Sequence, residues 1–371
     1  MKTISWITAD YFIDVDLPVI SKLKNSFRIF WQITIGRNIS IDYENYVKMI
    51  IPDFGDNLVV NFVYEKYRRR NPMSLISDIS VISRAKVYRP DIYYVSGFMA
   101  PWGLPMLKLL LPMKKVVMAC HNVSTPKGAT RSRLAEVNIS FVLRNFINIQ
   151  VFSKGQHKAL DDRCSGKNVL EAPLALKDYG KPAKERDRAE KGLVRFLSFG
   201  IVRDYKRLDI LIEAACLLYE RGYSDFRVRI AGSCNDWTTR YEPLIRYPQI
   251  FELDIRRIPN EEVADLFAVS DYFVMPYQDI AQSGAITVAF QYNVPVIVSD
   301  IPQFHEFVQD GINGLFFANG DVSALAEKML YVLENNDTLA PDLKRNQAEI
   351  VRKELSLDSI VEKYKAYLEK I

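Results

Sequence analysis

Cysteine is scarce in this chain, four residues in 371 (Cys120, Cys164, Cys216 and Cys234), scattered and without any CxxC spacing. That excludes a disulfide framework and a cysteine-based zinc site. Three of the four fall in apolar strand or helix patterns, as buried free thiols do, and the cytoplasm is the expected compartment. Long apolar runs are missing too. No stretch reaches the roughly 18 residues of a membrane span. The nearest, residues 100–120, is broken by Pro101, Pro105 and Pro112 and by Lys108, Lys114 and Lys115. The first residues, MKTISWITAD, read as a short strand and not as a charged segment leading into an apolar core, so no signal peptide is expected. No Gly-x-Gly-x-x-Gly follows the first strand and there is no Walker lysine loop, which argues against an NAD enzyme and a P-loop NTPase. No serine–histidine–acid set and no cluster of histidines and carboxylates stands out, and there is neither a low-complexity tract nor an internal repeat.

What is present is an ordinary globular composition, 49% hydrophobic and 25% charged, long enough for two domains with substantial cores. The charge is uneven. Residues 1–180 carry 25 Lys and Arg against 15 Asp and Glu, a net +10, while residues 181–371 carry 24 against 30, a net −6. A basic half beside an acidic half implies two domains with different partners. Clusters such as Arg68-Arg69-Arg70 suit phosphate or an anionic bilayer, or are simply a solvated basic surface. No nucleic-acid partner is expected.

Strand and helix patterns alternate nearly throughout, which predicts an α/β chain of parallel sheets covered by helices on both faces. In the first half the strands read as 3–7, 58–64, 91–96, 115–120 and 148–153, with helices over 72–88 and 131–145. The second half restarts the alternation with strands at 194–199, 227–231, 272–275, 294–298 and 314–317. Its helices are predicted at 208–221, 261–268, 283–292 and 322–335. The tail from Leu355 is amphipathic, with Leu357, Ile360, Val361, Tyr364 and Leu368 at helical spacing. Residues 177–191, KDYGKPAKERDRAEK, read as a linker. The predicted organisation is therefore a first Rossmann-like domain over 1–176, a linker over 177–192, a second over 193–350, and a C-terminal helix over 351–371 that packs back toward the first domain. Two doubly wound domains of this kind bind ligands outside the carboxyl ends of their strands.

The chemistry-bearing residues lie at such strand ends. Arg203 and Lys206 follow the strand that ends at Gly200, and two cations in a tight loop can bracket a diphosphate and stabilise it as a leaving group. The alternative is a pair of surface charges. Gln282-Ser283-Gly284 opens a helix just after Pro276-Tyr277-Gln278-Asp279, offering free amides and close backbone approach to phosphate, although serine is also an ordinary N-cap. His121 follows a buried strand and either hydrogen-bonds a substrate hydroxyl or carbonyl or caps the next helix. Glu306 can accept bonds from ribose or sugar hydroxyls, with His305 its exposed neighbour. Asp14 and Asp16, in the first loop, are candidates for contacting an acceptor, against helix capping by Asp16 ahead of Pro18.

At these residues the chain resembles retaining glycosyltransferases of the GT-B fold, in glycosyltransferase family 4 (group 1), and within it a Gln-Ser-Gly branch of bacterial polysaccharide enzymes. The segment FGIVRDYKRLDILIEA resembles FGxIRPYKGxDxLIEA, and PYQDIAQSGAITVAFQYNVPVIVSD resembles PYxxATQSGxxxxAxxxxxPVIxTD. FHEFVQDGINGLFF, ACHNV and NVLEAPLALKDYG resemble further segments in the same order, so the likeness covers most of residues 110–335. It departs at Ile280 and Val288, which stand where the family has a pair of glutamates, and at Arg207, where glycine is usual.

The resemblance implies a hexosyltransferase-type enzyme that moves a sugar from a UDP- or GDP-sugar to an oligosaccharide or lipid-linked acceptor, with retention at the anomeric carbon. It implies that Arg203 and Lys206 hold the diphosphate, with Gly200, Gln282, Ser283 and Gly284 beside it. Asp279, Gln282 or Glu306 would take over from the missing glutamates, and His121 would reach the donor sugar. The acceptor would sit on the first domain. Such enzymes usually need no metal and no cofactor. The basic first half would let the protein sit peripherally on the inner face of the cell membrane. Competing readings are a nucleotide-sugar epimerase of the same fold, a non-catalytic sugar-binding subunit and, least well supported, a glycogen-type phosphorylase.

Overall fold

The structure is a computed structural model, described here for all residues except 38–41, 68–70, 98–102, 124–132, 184–191 and 281–283. The chain divides into two compact units, the first running to Ala175 and taking in Leu355–Ile371, the second being Leu176–Glu354.

In the first unit the elements run β1 (Thr3–Ala9), α1 (Ile13–Leu23), β2 (Arg28–Ile35), α2 (Tyr43–Ile50), β3 (Leu58–Tyr64), α3 (Ser74–Val87), β4 (Ile92–Val95), α4 (Gly103–Leu110), β5 (Val116–Ala119), α5 (Arg133–Asn145), β6 (Asn148–Val151), α6 (Lys154–Arg163) and β7 (Asn168–Glu171). The sheet is wholly parallel in the order β3-β2-β1-β4-β5-β6-β7. Strands covered on both faces read as continuous apolar runs. RIFWQITI of β2 is the clearest case, buried at every position after Arg28. One face of the sheet packs Trp6, Trp31, Leu17 and Ile20 in one core, and the other packs Ile7, Val81, Val95 and Phe146.

The second unit runs β8 (Val194–Phe199), α7 (Leu208–Glu220), β9 (Phe226–Ala231), α8 (Trp237–Arg240), β10 (Phe251–Asp254), α9 (Asn260–Ala268), β11 (Tyr272–Met275), α10 (Gly284–Gln291), β12 (Val296–Ser299), β13 (Gly314–Phe317) and α11 (Val322–Ile350). Its sheet is also parallel, β10-β9-β8-β11-β12-β13. Helix α11 continues past Asn335 through Pro341, because Leu343 and Gln347 are buried beyond it. The chain closes with α12 (Leu357–Leu368), which lies beside α1 in the first unit and sends Tyr364 against Trp6 and Tyr94.

In both sheets the strand order reverses at one place, between β1 and β4 and between β8 and β11. Connections leave in opposite directions there and open a crevice at the carboxyl ends of the strands. Arg203, Lys206 and Asp279 follow the strands that border the second of these places, and Asp16 meets the strands of the first through Thr8 and Ser96.

Candidate functional site

At the second switch point, β8 ends in Gly200, which has φ +100°. Its carbonyl oxygen would lie 2.2 Å from a Cβ at Gly232, which has φ +152°, so β8 and β9 turn away together only because residue 232 has no side chain. The chain then makes a short turn over Asp204–Lys206 and enters α7 through Arg207. Arg207 stands in the left-handed region at φ 46°, a conformation natural to glycine. Its side chain doubles back on Asp209, with N–H bonds of 3.1 and 2.8 Å to the carboxylate. Arg240 pairs with Asp204 and reaches Asp236 at 3.6 Å, fixing the outer edge of the same turn.

This turn aims Lys206 inward and leaves Arg203 exposed. The Lys206 ammonium donates to the Phe199 carbonyl at 3.3 Å and sits 5.5 Å above the ring centre of Tyr277, just beyond β11. Tyr277 meets Tyr205 edge-on at 5.7 Å, and the Gln278 amide donates to the Tyr205 carbonyl at 2.7 Å, tying the β11 loop to the turn. Burial, with the Arg203 charge adding to it, lowers the Lys206 ammonium to about 8. Among the described residues no carboxylate pairs with either Arg203 or Lys206. Two neighbouring cations, one of them poorly solvated and neither paired with a carboxylate among the described residues, have the character that an anion would complement.

Gly284 begins α10, and a Cβ there would be 3.9 Å from Cε of Lys177, which brings a third basic side chain alongside the start of that helix. Gln282 and Ser283 lie outside the described residues. Asp279 is half-buried and accepts from Gln303 Nε2 at 3.1 Å. Glu306 is half-buried in a single turn over Phe304–Glu306, while His305 is exposed, stacked on Phe316 and paired with Asp300 at 2.7 Å. Ile280 and Val288 are both buried, and neither side chain has a polar group to offer a ligand.

At the first switch point His121 follows β5. Its ring lies between Phe12, centroids 3.5 Å apart and nearly parallel, and Phe152, 4.5 Å away. Its Nε2 is 2.9 Å from the carbonyl oxygen of Ser96 at the end of β4. Burial outweighs that bond and pushes the imidazole down to about 4, so it is neutral at physiological pH. A Cβ at Gly97 would fall 2.5 Å from the Phe12 ring, so glycine there is what lets Phe12 lie against His121.

Asp16 occupies the first turn of α1, which starts at Ile13, so it is inside the helix and does not cap it. It is fully buried, accepting from Thr8 Oγ1 at 2.6 Å and from Ser96 Oγ at 2.9 Å. Trp31 Nε1 in turn donates to Thr8 at 2.7 Å. Asp16 is thus linked through Ser96 to His121. Asp14 is exposed and accepts from the Tyr46 hydroxyl at 3.0 Å. Sequence reasoning did not single out Ser96, Phe12, Phe152 or Gly232. The one local signal was the Ser-Gly pair closing the apolar run of β4.

Among the described residues no group of three or more histidines, cysteines and carboxylates is placed to hold a metal. Among them, too, no helix is long and apolar enough to cross a membrane.

Comparison with known proteins gives three results. Residues 194–335 match the family described as "Glycosyl transferases group 1". No curated protein sequence matches. Among solved structures, HepE of Anabaena in complex with UDP and glucose superposes with a TM-score of 0.73 at 12% identity, covering 100% of both chains. A glycosyltransferase from Rickettsia africae gives 0.74 at 15%, covering 100% of this chain and 98% of the other. A variant of S. aureus TarM in complex with fondaparinux, α-GlcNAc-glycerol and UDP gives 0.71 at 13%, covering 99% and 100%. The fold is GT-B: two parallel-sheet, Rossmann-like units with the strand orders described above.

Proposed function

We propose that this chain is a retaining glycosyltransferase that moves a sugar from a nucleoside diphosphate donor, a UDP- or GDP-sugar, to a saccharide acceptor. The observation that carries the reading is Lys206: a half-buried ammonium beside Arg203, at the carboxyl end of β8, with no carboxylate partner among the described residues. The match of residues 194–335 to group 1 glycosyl transferases supports it. So does a fold shared with HepE and TarM, both solved with UDP.

In this reading Lys206 and Arg203 hold the diphosphate, with Gly200 giving it room and Gly284 at the start of α10, and Gln282 and Ser283, which precede Gly284 in the sequence, are assigned to the same ligand. Asp279, Gln282 and Glu306 contact the sugar or ribose hydroxyls. His121 contributes Nδ1 as a hydrogen-bond acceptor for a sugar hydroxyl, since Nε2–H is committed to Ser96. The acceptor binds near Asp14, while Asp16 acts through Ser96. The bond from the anomeric carbon to the phosphate oxygen breaks and the acceptor oxygen attacks the same face. The proton of the acceptor hydroxyl passes to the departing phosphate oxygen. The cations stabilise the charge that grows on that oxygen, the electrostatic task that a metal performs elsewhere. We take the enzyme to be metal-independent on that basis. A glycosidase would instead need two carboxylates flanking the bond as acid and base, roles that this reading gives to neither Asp279 nor Glu306.

A lipid-linked acceptor and a role in bacterial surface polysaccharide synthesis, at the inner face of the membrane, fit the basic first half of the chain. Titration calorimetry with UDP, GDP and their sugars tests the donor site: micromolar binding that Lys206→Ala abolishes is the expected result. Unchanged binding in that variant refutes the assignment of Lys206. An epimerase would give an isomerised nucleotide sugar without any acceptor.

A further inference from the structure

Helix α3 buries Val81, Ile82 and Ala85 in its second half, but its first half is inside out. It buries Ser74 and Asp78, 1% and 4% exposed, yet leaves Ile76 at 57% and Ile79 at 39%, with Met73 just ahead of it also exposed. A buried polar residue and an exposed apolar one are each uncommon, and here one helix shows both. Beside it, α4 leaves Leu109 73% exposed. An apolar pocket of about 240 Å³, lined by Pro72, Leu75, Pro105 and Met106, lies between the start of α3 and α4. Ile79 is one turn along α3 from Leu75, and Leu109 one turn along α4 from Pro105, so the exposed side chains extend the apolar surface of the pocket.

The charge of the same segment is concentrated. Residues 58–145 hold 14 Lys and Arg against 4 Asp and Glu, a net +10 that equals the whole excess of residues 1–180. Two of the four acids, Glu65 and Asp78, are buried, so the outward field is more basic still. Arg84 and Lys86 continue the exposed side of α3, Lys108 adjoins Leu109, and Lys114 and Lys115 follow α4, all exposed.

We infer that the α3–α4 face of the first unit is a membrane-docking surface, on which Met73, Ile76, Ile79 and Leu109 enter the headgroup region of a bilayer while the surrounding lysines and arginines meet its anionic lipids. Apolar insertion with a basic rim is what an interface of hydrocarbon and negative phosphate rewards. Since no helix among the described residues is long and apolar enough to span, attachment is at the surface. This gives the lipid-linked acceptor proposed above a location, but docking itself requires neither donor nor turnover.

Flotation of the full chain with vesicles of phosphatidylcholine, with and without phosphatidylglycerol, tests it in the absence of any nucleotide. The wild-type chain is expected to float with the phosphatidylglycerol vesicles, to be released as salt rises, and to bind pure phosphatidylcholine poorly. The exposed-site double variant Ile76→Asp with Leu109→Asp should lose about tenfold or more in vesicle affinity. Its melting temperature and UDP binding should stay unchanged, which separates docking from folding and from the donor site. No binding to anionic vesicles, or equal binding by the double variant, overturns the proposal. Concentration-dependent dimerisation that the double variant abolishes, without vesicle binding, also overturns it and assigns the face to a second copy of the chain.

Discussion

The carbonyl oxygen of Ser96 lies 2.9 Å from Nε2 of His121, and a carbonyl can only accept. The imidazole is therefore protonated at Nε2, and Nδ1 is its acceptor. Asp16 fixes the other side of Ser96 by accepting from its hydroxyl, so the position of the ring depends on a carboxylate that it does not touch.

His121 should stay neutral far below the usual histidine range, down to about 4. Long-range proton–nitrogen NMR spectra should show the Nε2–H tautomer and no titration between pH 5.5 and 7.5. A midpoint near 6.5 would contradict the sandwiched geometry. His121→Ala should lower turnover by about 5- to 30-fold, the worth of one hydrogen bond of roughly 1–2 kcal/mol.

Lys206 sets the pH dependence of anion binding. Its ammonium is lowered to about 8 in the free protein, and a bound diphosphate favours the charged form. Binding above pH 8 must then take up a proton, so UDP affinity should be level below that pH and weaken above it, by at most about tenfold per pH unit. Calorimetry from pH 7 to 9.5 checks this, and constant affinity across that range would contradict it.

Asp16 and Asp78 are both raised to about 7, chiefly by burial, with Glu65 adding to the effect at Asp78. An acid raised on folding is still protonated in the native state after it has ionised in the unfolded one. Stability therefore falls as pH rises from about 4 to 7 and stays low above, by at most on the order of 4 kcal/mol for each group. Asp78→Asn should raise the melting temperature at pH 8 and change it little at pH 4. An equal shift at both pH values would mean that ionisation is not the cause.

Gly232→Ala would drive a Cβ into the Gly200 carbonyl at 2.2 Å, on backbone at φ +152°. We expect a loss of about 3 kcal/mol or more, together with weakened UDP binding because Gly200 leads into the Lys206 turn. Denaturant unfolding measures the first and calorimetry the second. A variant as stable as the parent would refute the close approach.

The parallel α/β architecture was legible because strands covered on both faces are mostly apolar and punctuated by helices. The strands at 58–64, 194–199, 272–275 and 314–317 end where the sequence puts them. Strand β2 was passed over although it holds the longest buried run of its sheet, since RIFWQITI lacks strict alternation. The strands β7 and β10 are four-residue edges with two apolar residues each, too short to stand out, and Pro341 hid the second half of α11. Near the site, the sequence places Lys206 at a strand end but says nothing of the Tyr277 ring beneath it, which arrives from 71 residues further along. Asp16 looked like a loop carboxylate. Its partners Thr8 and Ser96 come from two different strands, the second 80 residues away, and no local pattern encodes that meeting.

The most direct test of the central claim is turnover. Purified protein is incubated with each UDP- and GDP-sugar, with and without a lipid-linked saccharide extract, and released nucleoside diphosphate is followed alongside the glycosylated product. Acceptor-stimulated release of one nucleoside diphosphate is expected, with an α- or β-linkage that keeps the donor's anomeric configuration and a loss of about 10²- to 10³-fold in Lys206→Ala. Release that proceeds equally well in Lys206→Ala, or a product of inverted configuration, would contradict the claim.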